Sequence, residues 1–134
     1  VAMTSGIGSP VPLHATSLGK AVVAAYPEPR RTELIATCPL DRYTEATIVD
    51  PTRLREACAS IETTGFAFDN EEHEPGVRCI GAAILGATGD PIGAISVSVP
   101  VTRLRIADAA GLGRRVRDAA TEITAAVVPS IVRD

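Results

Sequence analysis

Apolar residues recur with two different periods along this chain, and the two periods divide it into helices and strands. A period near 3.6 residues is typical of an amphipathic helix, and strict alternation is typical of a strand. The helical pattern predicts helices over SLGKAVVAAY (17–26), RRTELIA (30–36), PTRLREACASIETT (51–64) and residues 107–127. Alternation predicts strands over FAFDN (66–70), VRCIGAAIL (77–85) and IGAISVSV (92–99), and the tail of another strand in VAMTSGIG (1–8). Helices flanking an antiparallel sheet indicate an α+β fold.

Capping residues mark the ends of two of these helices. Thr16 precedes the first helix and is a typical N-cap, because its hydroxyl can accept from a free amide of the next turn. The third helix is bounded by Asp50 as cap, Pro51 at the first helical position and Gly65 at the end. In the first helix the 3.6-residue spacing gives an apolar stripe of Leu18, Ala21, Val22 and Ala25.

The second and third predicted strands are separated by GATGDP (86–91), which favours a hairpin. A two-residue loop at Thr88-Gly89 sets the pairing of directly opposed residues, which share a face of the sheet. The predicted pairs are Leu85 with Ile92, Ala83 with Ala94, Gly81 with Ser96 and Cys79 with Ser98. One face then carries Cys79, Gly81, Ala83, Ala94, Ser96 and Ser98, and the other carries Ile80, Ala82, Ile84, Ile95, Val97 and Val99, with Arg78 at the strand start.

The first of these faces is composed only of small and partly polar residues. Two interpretations fit it: a concave pocket for a small molecule, which such residues would line with hydrogen-bonding groups, or a surface on which an alanine-rich helix packs closely. Asp69 would add a carboxyl group to this face if its strand lies beside the hairpin. Otherwise Asp69 is a solvated residue at a strand end.

Composition narrows the class of protein. The 134 residues are 46% apolar and 22% charged, an ordinary globular balance for one domain. The net charge is −3 and no run of basic residues exists, so this chain lacks the electrostatic pattern of a nucleic-acid-binding surface. No apolar run is long enough for a membrane span, and the three widely spaced cysteines indicate reduced thiols in the cytoplasm. Cys58 falls on the apolar face of its helix and is expected in the core.

The stretch EEHEPGVRC (71–79) concentrates the chemically reactive side chains. A zinc site could draw its ligands from His73, Cys79, Asp69 and His14. No two of these residues have a compact chelate spacing in the sequence. Cys79 with His73 or His14 as its base would resemble the nucleophile of a thiol hydrolase, although a thiol in mid-strand is usually unreactive. Both alternatives, a zinc site and a small thiol-dependent enzyme, are weaker than a third.

In the third interpretation the stretch is a turn that leads into a strand. His73 is then a surface loop residue, and His14 orders the loop before the first helix. The glutamates of the turn are mainly solvated charges, and Glu71 or Glu72 can hold the loop by accepting backbone amides. This interpretation requires neither a metal nor a catalytic residue.

Three segments carry a resemblance to a known family: PLHATSLGKAVVA (12–24), GFAFDNEEHEPGVRCIGAAI (65–84) and ISVSVPVTRL (95–104). They resemble, in order and separation, the effector-binding domain of the IclR family of bacterial transcriptional regulators. The first resembles its loop leading into a helix, the second its aspartate and paired glutamates followed by a glycine and a cysteine, and the third its strand with two alternating serines.

The resemblance implies a GAF-like fold with a cavity on one face of the sheet, and a small organic effector, often a carboxylate, in that cavity. The effector-binding residues it implies are the backbone amides of Ser17 and Leu18 and the side chains of Asp69, Cys79, Ser96 and Ser98, with Met3 and Val77 as apolar wall. This sequence departs from the family's pattern at two places. It has AAIL (82–85) where relatives usually have a proline, and it has Val99 where many have a glycine. Both differences affect the outer shape of the pocket.

The resemblance also implies the setting of the domain. Residues 1–134 would be part of an effector-binding domain that is no enzyme and needs no cofactor. DNA would be contacted only through an N-terminal winged helix-turn-helix domain absent from this chain, and a homodimer or homotetramer is expected, with no membrane partner.

Overall fold

The computed structural model of the protein describes residues 11–132, which fold into four helices and one antiparallel sheet. The helices are α1 (Ser17–Ala25), α2 (Arg30–Thr37), α3 (Pro51–Thr64) and α4 (Ile106–Val132), and the strands are β1 (Ala67–Asn70), β2 (Val77–Leu85) and β3 (Pro91–Pro100). The predicted α+β class is confirmed. The strand predicted in residues 1–8 lies outside the described residues.

The helix ends follow the predicted capping chemistry. Thr16 Oγ1 accepts from the amide of Gly19 at 3.0 Å, and Asp50 Oδ1 accepts from the amide of Thr52 at 2.9 Å. Gly65 ends α3 in the left-handed conformation, with φ of 84°. The prediction for α4 is too short, because the helix continues past residue 127 and through Pro129 to Val132.

The strands lie in the order β1-β2-β3, and every neighbouring pair is antiparallel. The helix α4 packs on one face of this sheet, while α1 packs on the other face and is itself covered by α2 and α3. One core cluster, between α4 and the sheet, contains Ile80, Ala82, Leu104, Ala109, Val116 and Ala120. The other, among the first three helices, contains Val23, Ala24, Ile35, Leu54 and Cys58. Cys58 is fully buried, as expected.

The apolar stripe of α1 is only partly buried. Ala21 is buried, but Leu18, Val22 and Ala25 are only half-buried. The fully covered apolar positions of this helix include Val23 and Ala24. The helix is enclosed from two sides, by the sheet and by α2 and α3, so its buried surface is wider than one stripe.

The hairpin turn differs from the prediction, yet the predicted register is mostly right. The loop has three residues, 87–89, since the amide of Gly86 donates to Asp90 O at 2.9 Å. That length alone would move the register by one residue, and Leu85 indeed pairs with Pro91 instead of Ile92. A bulge at this point restores the predicted pairs of Ala83 with Ala94, Gly81 with Ser96 and Cys79 with Ser98.

No helix within residues 11–132 is both long and apolar enough to cross a membrane.

Candidate ligand-binding site

Side chains from all three strands form a polar row on the α1 face of the sheet. In the register, Cys79 of β2 lies between Asp69 of β1 and Ser98 of β3. Ser96 lies opposite Gly81, two residues farther along the same face. Because directly opposed residues share a face, Asp69, Cys79, Ser96 and Ser98 point to the same side of the sheet. The predicted small, polar face therefore exists, and β1 adds Asp69 to it.

Part of this face is covered by α1, as the packing interpretation required. A Cβ atom added at Gly81 would lie 3.0 Å from both the carbonyl carbon and the Oγ atom of Ser17. The absence of a side chain at Gly81 lets the first turn of α1 rest on the sheet at this point. Both sequence interpretations thus describe part of the face, with helix packing at Gly81 and an open space beside it.

The start of α1 is turned toward that open space. Thr16 Oγ1 donates to Pro12 O at 2.8 Å while accepting from Gly19, which folds the preceding loop over the helix start. A Cβ atom at Gly19 would lie 2.5 Å from Leu13 Cα, so this close approach needs a glycine. Within residues 11–132 the amides of Ser17 and Leu18 have no hydrogen-bond acceptor. Free amides at a helix start, together with the helix dipole, favour an anion.

A cavity of about 80 Å³ lies between the polar row and the start of α1. Its lining comprises Val11, Pro12, Thr16, Ser17, Leu18, Asp69, His73, Glu74, Val77, Cys79, Ser96 and Ser98. The six polar positions predicted for the site, and Val77, all lie in this set. Met3 lies outside the described residues.

Burial and charge differ across the cavity. Asp69 is 3% exposed, Cys79 is half-buried, and Ser96 and Ser98 are exposed, so the cavity is deepest at the carboxyl group. Burial first, and the Glu72 carboxylate second, raise the pKa of Asp69 to about 6. A hydrogen bond from the Glu72 backbone N–H, the charge of Lys20 and a bond from the Cys79 thiol oppose that rise.

Cys79 lacks the features of an activated nucleophile. Burial raises the pKa of its thiol, as does the nearby charge of Asp69, while a hydrogen bond with Ser98 lowers it. The Sγ atom lies 3.2 Å from Ser98 Oγ. The neighbouring Arg78 is directed to the other face, where its guanidinium bonds Asn70 Oδ1 at 2.9 Å. A neutral thiol is a poor nucleophile but can serve as a weak hydrogen-bond donor.

A buried ion pair that was not predicted from the sequence lies beneath the site. Lys20 Nζ lies 2.7 Å from Glu72 Oε1 and donates to Phe68 O at 2.7 Å. The other oxygen of Glu72 accepts the amide of Asn70 at 3.0 Å, and its backbone amide donates to Asp69 Oδ1 at 2.7 Å. The prediction of a solvated Glu72 is therefore wrong, and the alternative that it accepts a backbone amide is right. A single lysine within an apolar helix is the signal that could have indicated this pair.

The turn after β1 is held by a second loop. Thr44 and Thr47 donate through their hydroxyls to the carbonyl groups of Glu71 and Glu72, both at 2.6 Å. Glu71 Oε1 in turn accepts the amide of Gly76 at 2.8 Å. These bonds fix the turn that carries the His73 and Glu74 wall of the cavity.

The two histidines belong to this support and do not form a metal centre. His14 Nε2 lies 2.7 Å from Asp41 O, and the Tyr43 ring lies 5.9 Å from the His14 ring and 4.9 Å from that of His73. His14 is buried and orders the loop before α1, while His73 is a half-buried cavity wall instead of a surface residue. Among the described residues, no three His, Cys, Asp or Glu side chains converge as metal ligands.

A larger open groove, of about 730 Å³, lies at the far end of α1, between α3 and α4. Arg31 of α2 lines this groove and is already hydrogen-bonded, since it donates to Tyr26 O at 3.1 Å and to Ala24 O at 2.6 Å. The groove contains none of the predicted site residues. The smaller cavity is the stronger candidate because free helix amides and a buried carboxyl group converge on it.

Comparison with known proteins places the chain in a family. The family model described as the C-terminal region of the bacterial transcriptional regulator IclR matches residues 1–125. The chain belongs to this family. The transcriptional repressor IclR of Escherichia coli strain K12 is 39% identical over 124 residues, which are 92% of this chain and 45% of the repressor. The family consists of transcriptional regulators, so it gives no support to the thiol-hydrolase alternative.

Solved structures of IclR-type regulators share the fold. The Thermotoga maritima IclR structure superposes with a TM-score of 0.88 at 29% identity, over 95% of this chain and 51% of that protein. The double mutant of the inducer-binding domain of PobR from Acinetobacter, in complex with 3-hydroxybenzoic acid, has a TM-score of 0.74 at 28% identity, over 85% of this chain and 66% of that domain. The chain spans about half the length of the curated relatives it matches.

Proposed function

We propose that this chain is the effector-sensing domain of an IclR-type transcriptional regulator. A winged helix-turn-helix domain in another part of the full-length protein would contact DNA. The family match over residues 1–125 supports this assignment. The net charge of −3 supports it too, because a DNA-contacting surface would be basic.

The proposed effector is a small organic carboxylate. The single observation that carries this proposal is the pair of free amides at Ser17 and Leu18, which face the row of Asp69, Cys79 and Ser98 across the cavity. A volume of about 80 Å³ corresponds to roughly 5 to 8 water-sized spheres, so an acid of three or four carbons fits. The carboxylate would accept from the helix amides and lie beside Asp69, and the hydroxyls of Ser96 and Ser98 would bind the rest of the acid.

In the full-length protein, effector binding would change the arrangement of a homodimer or homotetramer in the cytoplasm and thereby its affinity for DNA. Such coupling requires that the effector binds one arrangement more tightly than another. The start of α1 is a suitable element for this coupling, since it contacts both the effector cavity and the sheet.

A thermal-shift screen tests the proposed ligand class. Pyruvate, lactate and 3-hydroxybenzoate would be added to the wild-type chain and to Ser96→Ala. A ligand at 100 times its Kd adds about 2.7 kcal/mol to the free energy of unfolding, which is an easily measured shift.

We expect at least one acid to stabilise the wild-type chain and to lose most of its effect in Ser96→Ala. Ser60→Ala, at an exposed position on α3, is the matched control and should keep the full shift. Equal shifts in Ser96→Ala and Ser60→Ala would place the ligand elsewhere and contradict the site. Stabilisation by zinc alone would favour the metal alternative instead.

A further inference from the structure

The cavity has an unusual charge balance for a site that is proposed to bind an anion. Among residues 11–132, its lining contains two carboxyl groups, Asp69 and Glu74, and neither a lysine nor an arginine. An incoming carboxylate therefore meets like charge, which the helix amides at Ser17 and Leu18 offset only in part.

Among the described residues, the cation whose charge acts on Asp69 is Lys20, and it is already paired. Lys20 Nζ is 2.7 Å from Glu72 Oε1, and both side chains are buried, at 4% and 11% exposure. Asp69 receives one backbone amide, from Glu72 at 2.7 Å, and faces the thiol of Cys79. A buried carboxylate and a bound carboxylate side by side, without a free cation, would repel each other strongly in this low-dielectric space.

We propose that the cavity binds a carboxylate together with one proton, which Asp69 takes up from solvent. This inference rests on the proposed function. The proton forms an O–H bond on Asp69, that O–H donates to the bound carboxylate, and no other bond is formed or broken. The negative charge of the ligand and the positive charge of the proton cancel, so binding leaves the net charge of the cavity unchanged. Asp69 thus determines the class of ligand, because it is an acceptor in the empty site and a donor in the filled one.

The surroundings of Asp69 are suited to this change. Burial raises the pKa of Asp69 to about 6, so the proton is gained near neutral pH at low cost. The charged and titratable groups that face it are Lys20 on α1, Glu72, His73 and Glu74 in the turn after β1, and Cys79 on β2. From β3 only the neutral hydroxyls of Ser96 and Ser98 line the cavity. The Lys20–Glu72 pair acts as a positioning pair, since it holds the Glu72 amide against Asp69 and leaves no positive charge for the ligand.

Isothermal titration calorimetry measures this proton directly. Pyruvate, lactate and 3-hydroxybenzoate would be titrated at pH 7 in phosphate and in Tris, which differ in ionisation enthalpy. For an acid that binds, the wild-type chain should take up about one proton per ligand, and the affinity should fall by about tenfold for each pH unit above 7.

Asp69→Asn separates the proton from the binding itself. The asparagine keeps an acceptor for the Glu72 amide and carries a permanent donor, so it imitates the protonated acid. We expect this variant to bind the same acid with no proton uptake and with an affinity that is constant between pH 6 and pH 8. Asp118→Asn is the matched control, since it makes the same change at an exposed position on α4, and its proton uptake should equal that of the wild-type chain.

The outcomes are distinguishable. Binding by the wild-type chain without proton uptake would overturn this inference and leave the proposed function intact. Uptake that persists in Asp69→Asn, or that disappears equally in Asp118→Asn, would overturn the assignment to Asp69. Absence of binding by all three acids would overturn the proposed function and this inference with it.

Discussion

The two faces of the sheet are built from the same strands and serve different purposes. On the α4 face, Ile80 and Ala82 pack with Leu104 and Val116 in a closed apolar core. On the α1 face, alternate residues of the same strands are small or polar, and a cavity remains beside the helix. Large side chains on one face stabilise the fold, and small ones on the other leave space for a ligand.

Within residues 11–132, the three strands of the sheet combine stability with a site. Period-two alternation assigns each residue of β2 to one face only, so Ile80 can be optimised for packing while its neighbours Cys79 and Gly81 are not. The polar face is stabilised instead by the Lys20–Glu72 pair and by bonds from the turn after β1. A substitution can therefore weaken the packing on one face and leave the polar contacts on the other face in place.

The largest effect is expected from Lys20→Met, which breaks the buried pair beneath the α1 face. The change leaves Glu72 charged, buried and without its cation, which should lower the free energy of unfolding by about 4 kcal/mol. Urea denaturation measures this loss. Arg105→Met is the control, because the Arg105–Asp108 pair is exposed and should contribute less than about 1 kcal/mol. Equal losses in the two variants would show that the buried pair has no special role.

The α4 face is tested by Ile80→Ala. Ile80 is fully buried, and its truncation leaves a cavity that should cost about 3 kcal/mol in urea denaturation. Ligand affinity measured well below the unfolding transition should stay within about twofold, because Ile80 points away from the cavity. A large change in affinity would contradict the separation of the two faces.

The pH dependence of stability should distinguish Asp69 from the rest of the polar face. The pKa of Asp69 is about 6 in the folded chain, against an ordinary value of 3.8 for an aspartate, so the folded state holds its proton more tightly. Its contribution to stability is full below pH 3.8 and is lost as the pH rises through 6.

Asp69→Asn should therefore gain stability relative to the wild-type chain as the pH rises from 4 to 7, by at most about 3 kcal/mol. Urea denaturation at several pH values gives the difference. A difference that is flat with pH, or that grows as the pH falls, would contradict the raised pKa.

Ser98→Ala should have the smallest effect on folding and a clear effect on binding. Its side chain is exposed, so the free energy of unfolding should change by less than about 0.5 kcal/mol. Loss of one hydrogen bond to the ligand should weaken binding about fivefold. Val97→Ala, at the neighbouring exposed position on the opposite face, should leave the affinity unchanged and serves as the control.

The sequence predicted the elements and the polar row because both depend on local periodicity. Alternation along β2 and β3 assigned Cys79, Ser96 and Ser98 to one face, and the register agrees with it. The turn was predicted with two residues instead of three. The pairs farther from the turn are nevertheless right, because a bulge between Ile84 and Leu85 compensates for the difference. Alternation does not reveal a bulge, since the extra residue, Ile92, is itself apolar and exposed.

The support beneath the site could not be predicted in the same way. Lys20 and Glu72 are separated by 52 positions in the sequence, and only the packing of α1 against β1 brings them together. The same holds for the Thr44 and Thr47 bonds to the turn after β1. Local patterns assign residues to faces, whereas pairs between distant segments require the tertiary arrangement.

The proposal that a carboxylate binds in the cavity on the α1 face is tested most directly by NMR. The ¹⁵N-labelled chain would be titrated with the three acids at pH 6. The amide signals of Ser17, Leu18, Cys79 and Ser98 should shift with the ligand, because those residues line the cavity on the α1 face. Signals of Ala82, Leu104 and Val116, in the core on the α4 face, should stay in place. Shifts confined to the α4 face, or no shift with any of the acids, would contradict the account.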